Sequence, residues 1–117
     1  MPAQWVAHCH CTRCQRAHGA AFVTWVGTTE SEAVIDDPDA ALRWHAAQGR
    51  GQRGFCSHCG SPMFFKADRW PGELHVARAL FSSEVRPAPQ MHAFHDTQVP
   101  WVTLGDDLPC KTEAETR

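Results

Sequence analysis

The sequence lacks the apolar stretches that would place it in a membrane or direct it out of the cell. Nowhere in its 117 residues do about 18 consecutive apolar residues occur, the length that a membrane span requires. Its opening residues, Met-Pro-Ala-Gln-Trp, carry neither the basic nor the apolar region of a signal peptide. We therefore expect a cytoplasmic protein that makes no contact with membranes.

No excess of one charge is present either. Lys and Arg total 11 against 13 Asp and Glu, a formal net charge of -2. Proteins that hold nucleic acid through its phosphates need a basic field, so this balance argues against nucleic acid as a partner. The chain shows no internal repeat, and its length fits one domain. We place that domain at residues 1–109 and expect the polar residues 110–117 to form a mobile tail.

A long amphipathic helix is missing as well, and short strands separated by turn signals take its place. This pattern, with a turn at roughly ten-residue intervals, predicts an all-β domain. A helical turn is expected at residues 15–18, where Gly19 can close it in the left-handed conformation. Strands 63–65 and 74–77 are expected to pair as a hairpin. The predicted strands are 22–26, 33–35, 42–45, 63–65, 74–77, 91–95 and 100–104. An acidic turn is expected at 36–39 and a glycine-rich loop at 49–51. Trp25 and Trp101 are the tryptophans expected in the core.

Cysteine is what the sequence does supply, and five of its six cysteines lie in two short stretches. Cys9, Cys11 and Cys14 form a C-x-C-x-x-C, here called the triplet, and Cys56 and Cys59 form a separate C-x-x-C pair. Two intervening residues let both sulfurs of a C-x-x-C point to one ion, so the pattern predicts a metal site, with zinc as the first choice. In a reducing compartment disulfides are less expected than metal binding. Buried free cysteines and iron–sulfur ligation are the weaker alternatives.

The third thiol of the triplet distinguishes it from a plain structural site. If Cys9, Cys11 and Cys14 all bind the ion, three protein ligands leave its fourth position open. At such a position zinc lowers the pKa of a bound thiol or water, and the activated thiol can add to an aldehyde. The alternative is one closed site of Cys11, Cys14, Cys56 and Cys59 in a non-catalytic, zinc-stabilised module that binds another protein.

Several short motifs between residues 5 and 109 occur together, in this order, in one known family. They are the C-x-C-x-x-C itself, Gly19-Ala20-Ala21-Phe22, Arg53-Gly54-Phe55-Cys56 with Cys59-Gly60, Pro89 with His92, and Trp101. With these motifs the chain resembles the glutathione-dependent formaldehyde-activating enzyme family, which includes the domain of centromere protein V. The resemblance implies a β-tent fold of small antiparallel sheets with zinc knuckles, and a carbon–sulfur lyase activity that joins glutathione to formaldehyde.

Position by position, the resemblance assigns the triplet to the family's catalytic zinc motif and the C-x-x-C pair to half of a structural zinc site. In the family, the other half is a C-x-C on a strand upstream of the triplet. The given sequence starts at Met1, after the place where that strand is expected. We therefore expect either a start that has been placed too late or a lost site, which would make the chain an inactive truncated member. A second departure is Leu80-Phe81-Ser82-Ser83, where the family usually carries an acidic segment.

The histidines near the cysteines are expected to serve purposes other than binding the ion. His10 lies between two cysteines of the triplet, so its side chain should point away from their ion. His8 and His18 are candidates for a proton shuttle, because imidazole titrates near neutral pH, or are plain surface residues. His92 is expected to have a structural role rather than to build a site.

Overall fold

The structure is a computed structural model that describes residues 3–46 and 51–116. Its main elements are short strands and one short helix, which confirms the all-β prediction. No helix among the described residues is long and apolar enough to cross a membrane. The elements are β1 (Trp5–Cys9), α1 (Thr12–His18), β2 (Val23–Thr29), β3 (Leu42–Ala46), β4 (Gln52–Cys56), β5 (Pro62–Lys66), β6 (Glu73–Ala77) and β7 (His92–Ala93).

The described strands join into one seven-stranded sheet in the order β3-β4-β5-β6-β2-β1-β7. Neighbouring strands are antiparallel except β1 and β7, which run parallel. The hairpin predicted from residues 63–65 and 74–77 is present, with Phe64 opposite Val76. The sheet is therefore continuous and mixed, whereas the family resemblance implies several small antiparallel sheets.

The alternation of side chains along the strands divides this sheet into two faces. In the register across β1, β2 and β6, Ala7, Trp25 and Ala77 form one row, so two small residues flank the large indole. Cys9 and His75 lie two residues from this row and therefore share its face. Trp25 is 3% exposed, which confirms it as a core residue.

Gly27 leaves the space that the indole of Trp5 occupies. It pairs with Trp5 on one side and His75 on the other, and a Cβ there would lie 2.0 Å from Trp5 Cε2. We expect Gly27→Ala to lower the free energy of unfolding by about 1–3 kcal/mol, because the indole must leave its place. Urea unfolding would show this. Gly105→Ala is the matched control, since no heavy atom lies within 4 Å of its added Cβ, and equal losses in the two variants would contradict the prediction.

Two predicted strands are absent from the described structure. Residues 33–35 form no strand, and Val34 is 89% exposed, because the segment only links a 3-10 turn at Glu30–Glu32 to the turn at 36–39. That turn is present, and the Asp37 carboxylate accepts hydrogen bonds from the backbone of Ala41 and Leu42. Residues 100–104 also form no strand, and Trp101 is 71% exposed, so its prediction as a core residue was wrong.

The strand predicted at 91–95 is cut to His92–Ala93 by the backbone of the next residue. Phe94 takes a left-handed conformation (φ 55°), which ends the extended chain and starts a 3-10 turn at His95–Thr97. The helical turn predicted at 15–18 is confirmed within the longer α1, and Gly19 ends it in the left-handed conformation. Residues 49 and 50 of the predicted loop lie outside the described residues.

Residues 110–116 make contacts with the sheet and the neighbouring loop. Cys110 bridges to His92, and Lys111 donates its N–H to the His92 carbonyl at 2.8 Å. Arg69 donates to the carbonyls of Glu113 and Thr116, both at 2.7 Å. The mobility of 110–117 and the boundary at residue 109 stay predictions.

Candidate metal centre

The triplet meets where β1 ends and α1 begins. Cys9 is the last residue of β1, and Cys14 lies in the first turn of α1. Cys11 is the N-cap of α1, and its sulfur accepts a hydrogen bond from the Cys14 N–H at 3.3 Å. All three sulfurs lie within 4.8 Å of one another, and in the described part of the chain no other such group of His, Cys, Asp or Glu is found.

The spacing of these sulfurs fits a tetrahedral metal ion. Thiolate–metal bonds of about 2.3 Å at tetrahedral angles hold two sulfurs about 3.8 Å apart. Cys9 Sγ and Cys14 Sγ are 3.7 Å apart. The triplet can therefore hold a metal ion, and three ligands would leave a fourth position for another molecule.

Hydrogen bonds within the triplet shift the pKa values of its thiols in opposite directions. Bonds from the thiols of Cys11 and Cys9 lower the pKa of Cys14, with help from the nearby Arg53 cation. The same bonds, with burial, raise the pKa of Cys9. Arg53 Nη2 donates to Cys14 Sγ at 3.6 Å, while its Nη1 is buried without a partner in the described structure. A cation thus lies beside the thiolate, with one donor available for a ligand.

The triplet opens into a cavity of about 1030 Å³, large enough for a small-molecule ligand. This cavity lies over the sheet face that carries Trp25. Aromatic side chains make up much of its wall, and charged groups of both signs surround them. Its lining includes Trp5, Trp25, Phe65, Trp70, His75 and Phe94, with the charged Arg13, Arg53, Lys66 and Glu73.

The C-x-x-C pair does not join the triplet. Arg53 lines the cavity of the triplet, but Cys56, three residues further along β4, lies on the opposite face of the strand and lines a second cavity with Cys59. Cys59 is exposed, and a hydrogen bond with Ser61 lowers its pKa. The single closed site weighed in the sequence is therefore not formed. Metal binding by the C-x-x-C pair stays a prediction.

Comparison with known proteins identifies the group to which this geometry belongs. Residues 2–97 match the family model described as glutathione-dependent formaldehyde-activating enzyme. The chain belongs to this family. A curated protein of Halomonas elongata whose name places it in the same family is 26% identical in an alignment of 102 residues that covers 82% of this chain. The chain spans 65% of the length of that relative.

Behind the triplet lies a chain of buried hydrogen bonds that the sequence did not reveal. His10 Nε2 is 2.8 Å from His92 Nδ1, and His92 Nε2 is 3.0 Å from the Asp106 carboxylate. The two rings are 1% and 2% exposed. Because a carboxylate only accepts, His92 carries its proton on Nε2 and accepts from His10 Nε2–H. This arrangement, here called the relay, leaves His10 Nδ1 unprotonated and buried without a partner among the described residues.

The relay and the backbone around it fix the residue between two of the thiols. His10 donates its N–H to Ala93 at 2.9 Å, and its carbonyl accepts from Gln15 Nε2 at 2.7 Å and Thr97 Oγ1 at 2.9 Å. Burial lowers the pKa of His10 to about 4, so the ring is neutral near pH 7. The side chain of His10 is thus held by His92, away from the triplet. Asp106, which ends the relay, lies beyond the residues that the family model matches.

The two histidines weighed as proton shuttles pack outside the cavity lining. His8 Nδ1 shares a hydrogen bond with Thr24 Oγ1 at 2.8 Å and stacks on His92. His18 packs edge-on against Trp25, and burial lowers its pKa. A shuttle through either residue stays a prediction.

Proposed function

We propose that the chain is a zinc-dependent enzyme that adds a small thiol, glutathione, to formaldehyde or a similar aldehyde. The observation that carries this proposal is the triplet, three thiols at metal-ligand spacing in the wall of a cavity. A set of thiolates favours soft or borderline ions such as zinc. The reaction is of the carbon–sulfur lyase type, and it takes place in the cytoplasm without a nucleic-acid or membrane partner.

In this proposal the chain supplies ligands, compensating charge and a sheltered space. Cys9, Cys11 and Cys14 hold zinc, which lowers the pKa of a thiol at its open position. Arg53 offsets the negative charge of the thiolates, and Arg13 on the cavity wall attracts the carboxylates of glutathione. Aromatic walls exclude water from the aldehyde. The C-x-x-C pair is proposed to contribute to a second ion, with further ligands from elsewhere.

The test measures bound metal and reaction rate on the same preparation. We expect about one zinc per chain at the triplet by elemental analysis, and faster formation of the hydroxymethyl adduct from ¹³C-formaldehyde and glutathione than in buffer. Exchange NMR follows this equilibrium directly. Cys11→Ser should abolish the acceleration, whereas Cys110→Ser, which changes an exposed thiol outside both stretches, should leave it intact.

Two results would count against the proposal. Wild-type protein without metal at the triplet excludes the zinc site. Zinc at the triplet with no acceleration of adduct formation would favour the non-catalytic module that binds another protein.

A further inference from the structure

His75 is a buried titratable residue in the triplet's cavity. It lies in β6 on the same sheet face as Cys9 and is 5% exposed. It is not among the motifs that carry the family resemblance. Four aromatic rings surround its imidazole, with centroid distances of 4.6 Å to Trp5, 5.4 Å to Trp70, 5.7 Å to Phe65 and 6.4 Å to Trp25.

Glu73 fixes the tautomer and orientation of this imidazole. Its Oε1 is 2.9 Å from His75 Nε2, and the same oxygen accepts from Trp5 Nε1 at 3.3 Å. Because the carboxylate accepts, the proton of neutral His75 lies on Nε2 and a lone pair on Nδ1. No hydrogen bond of Nδ1 to a described residue is present. A carboxylate and an imidazole in this order form the pair that activates nucleophiles in unrelated enzymes.

Trp25 connects His75 to the triplet. Its ring packs near His75, and a hydrogen bond from its side chain contributes to the low pKa of Cys14. Burial lowers the pKa of His75 more than Glu73 and the Cys14 charge raise it, so the free ring is neutral and able to accept a proton. The ring and the thiols therefore line the same cavity, and the indole of Trp25 lies between them.

We propose that His75 is the general base of the thiol addition and that Glu73 orients it, an inference that rests on the proposed function. The S–H bond of the thiol breaks and its proton moves to His75 Nδ1. The sulfur electron pair forms the C–S bond while the carbonyl π pair becomes an alkoxide lone pair on oxygen. The proton then passes from Nδ1 to that oxygen, which gives the hydroxymethyl thioether and returns His75 to its neutral form. Glu73 stabilises the imidazolium that exists between the two transfers.

The test compares adduct formation in metal-loaded wild type, His75→Asn, Glu73→Gln and the control His45→Asn. General-base catalysis contributes about 10²–10⁴-fold, so we expect a loss of that size in His75→Asn. Glu73→Gln keeps the ring and should lose about tenfold, because Gln stabilises the imidazolium less well. His45 is an exposed histidine of β3, and its variant should match the wild type. Bound zinc should be equal in all four proteins.

The outcomes separate this inference from the proposed function. If the wild type does not accelerate the reaction, the proposed function fails, and this inference fails with it. If the wild type accelerates the reaction and both His75→Asn and Glu73→Gln are as fast, only the role of His75 is overturned. Should His75→Asn not fold by circular dichroism, Glu73→Gln decides, since a wild-type rate there overturns the pair and a tenfold loss supports it.

Discussion

Replacing Cys14 with serine is expected to remove metal binding by the triplet. Cys14 is 4% exposed and forms hydrogen bonds with both other thiols of the triplet. A serine hydroxyl does not ionise near neutral pH, so the variant loses a ligand and leaves the Arg53 cation beside an uncharged group. Changes to groups that merely support metal ligands cost about 10–100-fold in affinity. The loss of a ligand should therefore exceed a hundredfold, which titration against a chromophoric chelator would measure.

Two matched cysteine variants sharpen this prediction. Cys110→Ser alters an exposed thiol and should keep the wild-type affinity. Cys59→Ser should leave the affinity of the triplet unchanged, because Cys59 lines the other cavity. Wild-type affinity in Cys14→Ser, or an equal loss in Cys59→Ser, would show that the metal is held elsewhere.

The triplet was predictable because its geometry is local. Its three cysteines lie within six residues of sequence, and a strand end followed by a helix N-terminus brings their sulfurs together whatever the rest of the chain does. The alternation of apolar and polar residues in 42–45 and the turn at 70–72 between 63–65 and 74–77 are also local signals, and all three strands form as expected. Local patterns therefore predicted both the fold class and the candidate metal ligands.

Strands and core residues that depend on contacts with distant parts of the chain were harder to predict. The apolar character of residues 33–35 indicates a strand only if another strand is free to pair with it, and β3 pairs with β4 instead. Trp101 likewise has the composition of a core residue, but it lies in a turn after Pro100 and faces solvent. Composition gives the preference of a segment, whereas its burial depends on elements far away in sequence.

The His10–His92 contact and the position of the His75–Glu73 pair relative to the triplet also depend on contacts between distant strands, so the sequence did not predict them. His10 and His92 are 82 residues apart, and their contact depends on the parallel pairing of β7 with β1, which no local pattern indicates. His75 and Glu73 are close in sequence, but their relation to the triplet depends on β2 lying between β6 and β1. The general rule that a buried imidazole needs hydrogen-bond partners is the one signal from which a partner for His10 or His92 could have been predicted.

Replacing His92 with alanine is expected to lower the free energy of unfolding by about 3 kcal/mol. The change leaves His10 Nε2–H buried without its acceptor, which costs about 1–3 kcal/mol, and it opens a cavity where a ring was. Because His10 lies between two thiols of the triplet, metal affinity should fall by about 10–100-fold as well. Urea unfolding of both metal-free proteins in the presence of a chelator measures the first effect, because bound zinc would otherwise add its own, affinity-dependent contribution to stability.

Asp106→Asn tests whether the Asp106 carboxylate determines which ring nitrogens of His92 and His10 carry the protons, and it keeps both rings in place. An amide can donate as well as accept, so His92 is no longer held with its proton on Nε2, and His10 can shift its proton to the buried Nδ1. We expect a smaller loss of stability than in His92→Ala, with a change in the ¹⁵N shifts of both rings. Asp107→Asn changes the adjacent exposed carboxylate and should leave those shifts as they are. If Asp106→Asn leaves the ring tautomers unchanged, the carboxylate does not set them, and the packing of His10 against Phe22 and His92 must do so instead.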